Sequence, residues 1–305
     1  MGHTSLITGG TELKMGVVYP QLELGGDPKA AQAFGLGLET LGYDHLVAFD
    51  HVVGAVHADR EPPLGGPYNE DHPFHEPLMM FSFLAGQTTN LEFATGVMIS
   101  PQRQTALLAR QAADLALMSG NRFRLGVGVG WNYVEYETLG QDFTTRGARQ
   151  EEQVQLLRRL WTEPVVDFSG RFDQVPRAAI VPRPTEPIPI WFGGFRRPAF
   201  ERAARLGDGF IFAGSTEVEI SEWDVAGTFQ ALREDVERHG RDPQQFGGER
   251  VVMFPPSVEE VAARVHQWHA AGGTHASVLT LGLGLDSVEA HLDYLSRVKD
   301  SILAG

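Results

Sequence analysis

The sequence predicts a closed (β/α)8 barrel, and three observations carry that reading. A unit of amphipathic helix, Leu-Gly or Gly-Gly, a polar residue and a short apolar strand recurs. It appears as ETLGYDHLVAFDH (39–51), ARLGDGFIFAG (204–214) and AAGGTHASVLTLG (270–282). Its strands, such as Phe210 to Ala213, are apolar on both faces, the mark of a parallel sheet covered on both sides. The chain has 305 residues, 42% of them hydrophobic, which suits one large core.

The elements follow in order. The opening MGHTSLITGG has neither a charged n-region nor an apolar h-region, so residues 1–12 are read as a flexible tail and 13–305 as a single domain. Strands are expected near 13–19, 44–50, 92–98, 123–129, 188–193, 208–213, 249–254 and 276–281, with helices between them. The glycines of the repeated unit sit where a helix C-cap needs a left-handed residue. Two connections exceed what a barrel needs and are expected as insertions at its C-terminal face. Gly54 to Glu76, rich in Pro, Gly and His, reads as a lid over the mouth. Residues 165–189 read as a hairpin turning at Ser169-Gly170, followed by a Pro-rich run.

Charge narrows the partners. Asp plus Glu number 39 against 25 Lys plus Arg, a formal charge of −14, and no basic run offsets it, so nucleic acid is not an expected partner. The absence of cysteine removes disulfides, thiolate metal sites and thiol nucleophiles. No apolar run approaches a membrane span, and the reading is a soluble cytoplasmic protein.

The most informative stretch is RFRLGVGVGWNYVEYETLG, 122–140. A strand ending in Gly126, Gly128 and Gly130 lets a ligand approach the backbone, or relieves crowding inside the barrel. In PIWFGGFRRP, Gly193 and Gly194 end a strand and Arg196, Arg197 and Pro198 open a helix. That is a phosphate seat against the backbone of Gly193 to Phe195, or a plain turn with solvated arginines. Asp50-His51 follows the second strand as a catalytic dyad, a helix cap or a hydrogen-bonded loop pair. HPFHEP holds His72, His75 and Glu76 but no fourth ligand, so no metal is expected. Glu135, Glu137, Glu151 and Glu152 are assigned to solvated or capping positions.

Several spaced blocks agree in order with one family: AFDH (48–51), ATGVMISPQRQTALLARQAADLALMSGNRFRLGVGVGW (94–131), RQEEQVQLLRRLW (149–161), PIWFGG (189–194) and RPAFERAARLGDGFI (197–211). Over about residues 13 to 300 the chain resembles the bacterial luciferase-like superfamily of TIM-barrel flavin and deazaflavin oxidoreductases. The ending TLGLGLDSVEAHLDYL (280–295) is most similar to the branch using coenzyme F-420. The resemblance implies that Asp50 contacts the deazaflavin and that His51 stands by the reacting carbon, where imidazole can give or take a proton. It implies a non-prolyl cis peptide at Gly96–Val97, and places Gly128, Gly130 and Asn132 beside the ring or ribityl chain. It makes Gly193, Gly194 and Phe195 the phosphate cradle. Sugar-phosphate dehydrogenases of this superfamily carry an acidic residue directly after the fourth-strand glycine, and Trp131 stands here instead. With Tyr133, Phe49 and Met98 it favours an apolar or conjugated substrate, although Phe49 and Met98 also suit barrel core.

The leading function is hydride transfer between F-420 and a small organic substrate. The alternative is an FMN-dependent monooxygenase using oxygen and reduced flavin from a separate reductase. A silent flavin-binding protein is the third reading, and it would not need His51. The apolar helical segments 76–87 and 104–118 point to a homodimer.

Overall fold

The computed structural model describes residues 6–8, 11–213, 224–255 and 257–305. In chain order β1 (Leu6–Thr8), β2 (Thr11–Val18), α1 (Pro28–Leu41), β3 (His45–Ala48) and α2 (Pro77–Ala85) come first. Next are β4 (Glu92–Thr95), β5 (Met98–Ile99), α3 (Thr105–Met118), β6 (Phe123–Gly128), α4 (Tyr133–Thr138) and α5 (Arg146–Thr162). The hairpin β7 (Val166–Ser169) and β8 (Gln174–Ala178) leads to β9 (Ile190–Gly193), α6 (Arg197–Leu206) and β10 (Gly209–Ala213). Last come α7 (Val225–Arg238), β11 (Gly247–Val252), α8 (Val258–Ala270), β12 (His275–Leu279) and α9 (Val288–Ala304).

Eight strands pair in parallel as β2, β3, β4, β6, β9, β10, β11 and β12, and β12 closes on β2 with Lys14 opposite His275 and Val18 opposite Leu279. This is the expected (β/α)8 TIM barrel, and each of its strands falls where the sequence placed it. The antiparallel hairpin of β7 and β8 also lies within 165–189. Residues 54–76 contain no helix or strand, as the lid reading required. No helix among the described residues is long and apolar enough to cross a membrane.

Within the expected tail, β1 pairs antiparallel with β2, Leu6 opposite Leu13 and Thr8 opposite Thr11; residues 1–5 and 9–10 lie outside the described residues. Gly42 is a left-handed cap at φ 74°, but Gly207 is extended at φ −90° and makes no left-handed turn. It is glycine for another reason: a Cβ there would stand 2.8 Å from the Phe192 ring and 3.1 Å from the Ala203 carbonyl oxygen. Gly214, the last residue of the unit 204–214, lies outside the described residues.

The barrel interior is layered. Val18, Val47, Ala94, Trp191, Ile211, Val251 and Leu279 form an inner cluster, separate from the larger core between strands and helices. Below it lies a buried polar floor. Glu249, fully buried on β11, accepts from Arg124 of β6 at 2.6 Å and pairs with His45 Nε2 of β3 at 2.8 Å. The Ser277 hydroxyl of β12 also donates to it. Glycines make room for these side chains. A Cβ on Gly16 would lie 2.2 Å from His45, and one on Gly247 would lie 2.2 Å from Trp191.

Burial alone would raise the Glu249 carboxyl, but Arg124 and His45 outweigh it and hold the group well below the ordinary carboxylate range. His275 is held well below its ordinary 6.5, first by burial and then by the charges of Arg124 and His45. The signs separate these two groups. Glu249 contributes stability at all pH values above its unfolded value near 4.5 and loses it only as pH falls through its lower folded value. His275 stays neutral when folded, so the unfolded chain gains a proton near pH 6.5 that the folded one refuses. Stability should therefore fall below that pH by up to about 1.4 kcal/mol per pH unit per such group. We expect the urea midpoint to drop as pH falls from about 7 to about 5 and to drop less in His275→Gln. Equal drops in both proteins would remove His275 from the account.

Candidate functional site

The barrel strands deliver their C-terminal ends to one mouth, and the site assembles there. The third strand is broken between β4 and β5, where the Gly96–Val97 peptide is cis, as the resemblance implied. The Val97 side chain wedges toward β6 and β9: a Cβ on Gly128 would lie 2.3 Å from Val97 Cγ2, and one on Gly193 would lie 2.7 Å from Cγ1. Gly126 serves the crowding reading, since its Cβ would meet the Thr95 carbonyl oxygen at 1.9 Å. Glycine at all three positions is required by neighbouring protein atoms. Gly130 differs: φ is +64°, and it turns the chain out of β6.

Phe49 packs on the inner cluster, inside the mouth. Met98 is fully buried in the helix-facing core, so its assignment to the substrate wall is corrected: alternation along the strand turns it outward. Asn132 is buried and caps α4, accepting from the Val134 amide at 3.1 Å.

Asp50 is buried and held by protein partners. Its carboxylate receives Arg103 bidentately at 2.6 and 2.7 Å and the Ile99 amide at 2.8 Å. This ties the end of β3 to the segment following the bulge. Arg103 in turn lies 3.8 Å from Glu76, and its carbonyl accepts from Gln153 at 3.0 Å. Glu76 caps α2 by accepting from the Met79 amide, and burial pushes its carboxyl up. Nothing in the sequence marked Arg103 as the partner, because the two residues stand 53 positions apart.

His51 sits in a collar of rings. Its centroid is 4.7 Å from Phe74, 5.1 Å from Tyr68 and 5.6 Å from Trp131. The lid supplies two of these rings, and it is fastened to the body at several points. The Tyr133 hydroxyl donates to the Pro62 carbonyl, and Gly66 lies on the Trp131 indole. Tyr68 hydrogen-bonds Gln21 beyond β2, and burial pushes its phenol up to about 12. His72 accepts from the Asn69 amide at 2.9 Å within the lid.

Two of the four glutamates assigned to solvent or caps prove otherwise. Glu135 is 1% exposed; Oε1 accepts from the Val52 and Val53 amides at 2.7 and 3.3 Å and lies 3.3 Å from His51 Nδ1. The pattern Asn132-x-x-Glu135 reads as a capping box, but only Asn132 caps, and Glu135 reaches across to the loop after β3. Glu152 accepts from the amides of Arg171, Phe172 and Asp173 at 2.7 to 2.8 Å and fastens the hairpin turn. Glu151 pairs with Arg205 at 2.9 Å, and Glu137 is exposed.

At the other side of the mouth, Gly193 and Gly194 lead into α6. Phe195, Arg196 and Arg197 are exposed, and the Arg196 side chain makes no cap bond to the first turn. Gly194 has φ +155°, with the Ala199 Cβ 2.8 Å from where its own Cβ would be.

A family model described as luciferase-like monooxygenase matches residues 10–291. An uncharacterized protein of Mycobacterium tuberculosis is 34% identical over 201 residues, 65% of this chain and 69% of the relative. An F420-dependent glucose-6-phosphate dehydrogenase of Amycolatopsis mediterranei is 27% identical over 197 residues, 63% of this chain and 56% of the relative. Among solved structures, an F420-dependent secondary alcohol dehydrogenase in complex with an F420-acetone adduct aligns with TM-score 0.73 at 16% identity. The alignment covers 95% of this chain and 99% of that one. A monooxygenase from Streptomyces bottropensis aligns with TM-score 0.74 at 17% identity, covering 96% and 99%.

The lid contact is testable. A Cβ on Gly66 would fall 2.4 Å from the Trp131 ring, whereas one on Gly65 meets nothing within 4 Å. We expect Gly66→Val to red-shift tryptophan emission and speed proteolysis within 54–76, with Gly65→Ala unchanged. Identical behaviour of the two variants would mean that the lid does not rest on Trp131.

Proposed function

The chain belongs to the luciferase-like monooxygenase family, and from that premise we propose that it moves hydride between coenzyme F-420 and a small, apolar or conjugated organic substrate. The observation that carries the reading is His51, a partly exposed imidazole held among Tyr68, Phe74 and Trp131, next in sequence to Asp50, which accepts from the Ile99 amide just past the cis Gly96–Val97 peptide. The curated F420-dependent relative at 27% identity supports the choice of cofactor. The family's description as monooxygenases supports the second reading, an FMN-dependent monooxygenase using reduced flavin and oxygen.

The residues present suit such a group. Gly193 and Gly194, followed by an exposed helix start with Arg196 and Arg197, offer backbone N–H groups and positive charge to a phosphate. Val97, braced by Gly128 and Gly193, is the wall against which the ring system would rest. When bound, the deazaflavin supplies a ring carbon that accepts or donates hydride. If the substrate is an alcohol, its carbon loses hydride and its oxygen loses a proton, and His51 takes that proton; in the reverse direction it returns it. Trp131 and the lid keep water from the exchange. Asp50 acts through Arg103 and Ile99 to hold the bulge, so removing it also leaves Arg103 without its bidentate partner. The substrate wall consists of Phe49 and Trp131, a flat apolar surface with no carboxylate in the position that follows the fourth-strand glycine.

We also propose a homodimer. Met79 and Phe83 of α2 and Leu107 and Met118 of α3 are exposed by 45 to 72%, an apolar face on two adjacent helices. Sedimentation at tens of micromolar should show a dimer, and Met79→Glu with Leu107→Glu should shift it to monomer. A wild-type monomer at that concentration contradicts this.

Titrating the protein with F-420 and with FMN tests the cofactor directly: micromolar binding of F-420 and weaker binding of FMN is expected, and the reverse order would favour the monooxygenase reading. Gly194→Val should weaken F-420 binding more than tenfold, about 1.4 kcal/mol or more, because its Cβ would press on Ala199 and its φ of +155° suits only glycine, so the turn that forms the seat is distorted. His51→Ala should bind F-420 nearly normally. Its turnover, followed by cofactor absorbance over a panel of secondary alcohols and conjugated carbonyls, should fall about 10²–10⁴-fold. Normal turnover in that variant would make His51 a wall of the mouth and no more.

A further inference from the structure

Glu135 deserves a role of its own. It belongs to the first turn of α4, yet its carboxylate leaves that helix and meets the segment after β3. Oε1 accepts from two consecutive amides, Val52 and Val53, and stands 3.3 Å from Nδ1 of His51. The side chain is 2% exposed and the His51 side chain 11%, so little water competes for either group. Helix α4 is itself braced: Asn132 caps it, and the Tyr136 hydroxyl donates to the Val129 carbonyl at 2.8 Å. The carboxylate is thus carried on a fixed support.

We infer that Glu135 is the positioning residue for His51, an inference that rests on the reading of His51 as the proton-handling group. An ionised carboxylate only accepts, so a ring nitrogen beside it is favoured in its N–H form. Glu135 therefore keeps the proton of the neutral ring on Nδ1, which leaves Nε2 as a bare lone pair within the collar of Tyr68, Phe74 and Trp131. When Nε2 takes a proton, the imidazolium has its counter-charge already in place at Nδ1. The arrangement follows the logic of a base oriented by a third, buried group. The two amide contacts give the same carboxylate a second effect: they fix residues 52 and 53, and with them the direction in which His51 leaves the strand.

The substitution Glu135→Gln separates the two effects. The amide oxygen can still accept from Val52 and Val53, while the charge that selects the tautomer is gone. The readout is the 15N chemical shifts of the His51 imidazole in protein without cofactor, assigned by comparison with His51→Ala. In the wild type we expect a ring protonated at Nδ1. In Glu135→Gln we expect a mixture of tautomers, with F-420 affinity within about twofold of wild type and kcat lowered more than KM is changed. A wild-type ring protonated at Nε2 would overturn the inference, as would a Glu135→Gln protein whose tautomer is unchanged. The variant's far-UV circular dichroism and melting temperature show whether it is folded, and Glu135→Asp, too short to reach both amides and the ring, should fail to restore the Nδ1–H form. Because the shifts are read without substrate or cofactor, they decide the role of Glu135 separately from the His51→Ala turnover that decides the role of His51.

Discussion

A single buried carboxylate ties the barrel together. Glu249 of β11 has no contact with water, and its charge is met by Arg124 of β6, His45 of β3 and Ser277 of β12. Four strands that are not all neighbours are thereby joined across the interior. Removing one partner of such a pair leaves an uncompensated charge and costs about 3–5 kcal/mol, so these strands cannot slip independently. The registers that bring β3, β6 and β9 to the mouth at matching heights rest on this floor. Trp191 lies above it, with Arg124 stacked 4.1 Å from its ring centre.

The mouth repeats the principle with different chemistry. The Asp50–Arg103 pair holds the end of β3 to the chain beyond the bulge, and Val97 fills the gap made by glycines on β6 and β9. A rigid wall results on one side. The other side is the lid, which has no regular structure and depends on ring packing, a few hydrogen bonds and the fit of Gly66 to Trp131. Stability is uneven across the site in a way that suits admission of ligands: hydrogen-bonded strands below, contacts between side chains above. His51 lies at the boundary, 3.3 Å from Glu135 on the rigid side and packed by Tyr68 and Phe74 on the other.

Much of the site was legible because its residues lie at strand ends, where the sequence is easily read. Phe49, Asp50, His51, Gly96, Val97, Gly128, Gly130, Trp131, Asn132, Gly193 and Gly194 all occur within a few residues of a strand terminus. What those residues touch was harder to read. Asp50 looked like a ligand contact and is engaged by Arg103; Asn132 looked like a ring contact and caps a helix. Met98 looked like a pocket wall and faces the outer core. A local pattern such as Asn-x-x-Glu even pointed the wrong way for Glu135, since capping and cross-loop bonding place the same residue types at the same spacing.

The sequence by itself determined the architecture. Apolar strands of four to eight residues, alternating with amphipathic helices, can be buried on both faces only in a parallel sheet, and the count of eight closes it. It also determined where the mouth would be and which loops would line it. Only the tertiary structure decided the partners: Glu249 with Arg124, Asp50 with Arg103, Glu135 with His51, and each glycine with the side chain that needs its space. The reason is physical. Periodicity records how each residue faces its own strand or helix, whereas the three carboxylate pairs join residues 53, 84 and 125 positions apart and exist only once the barrel has closed.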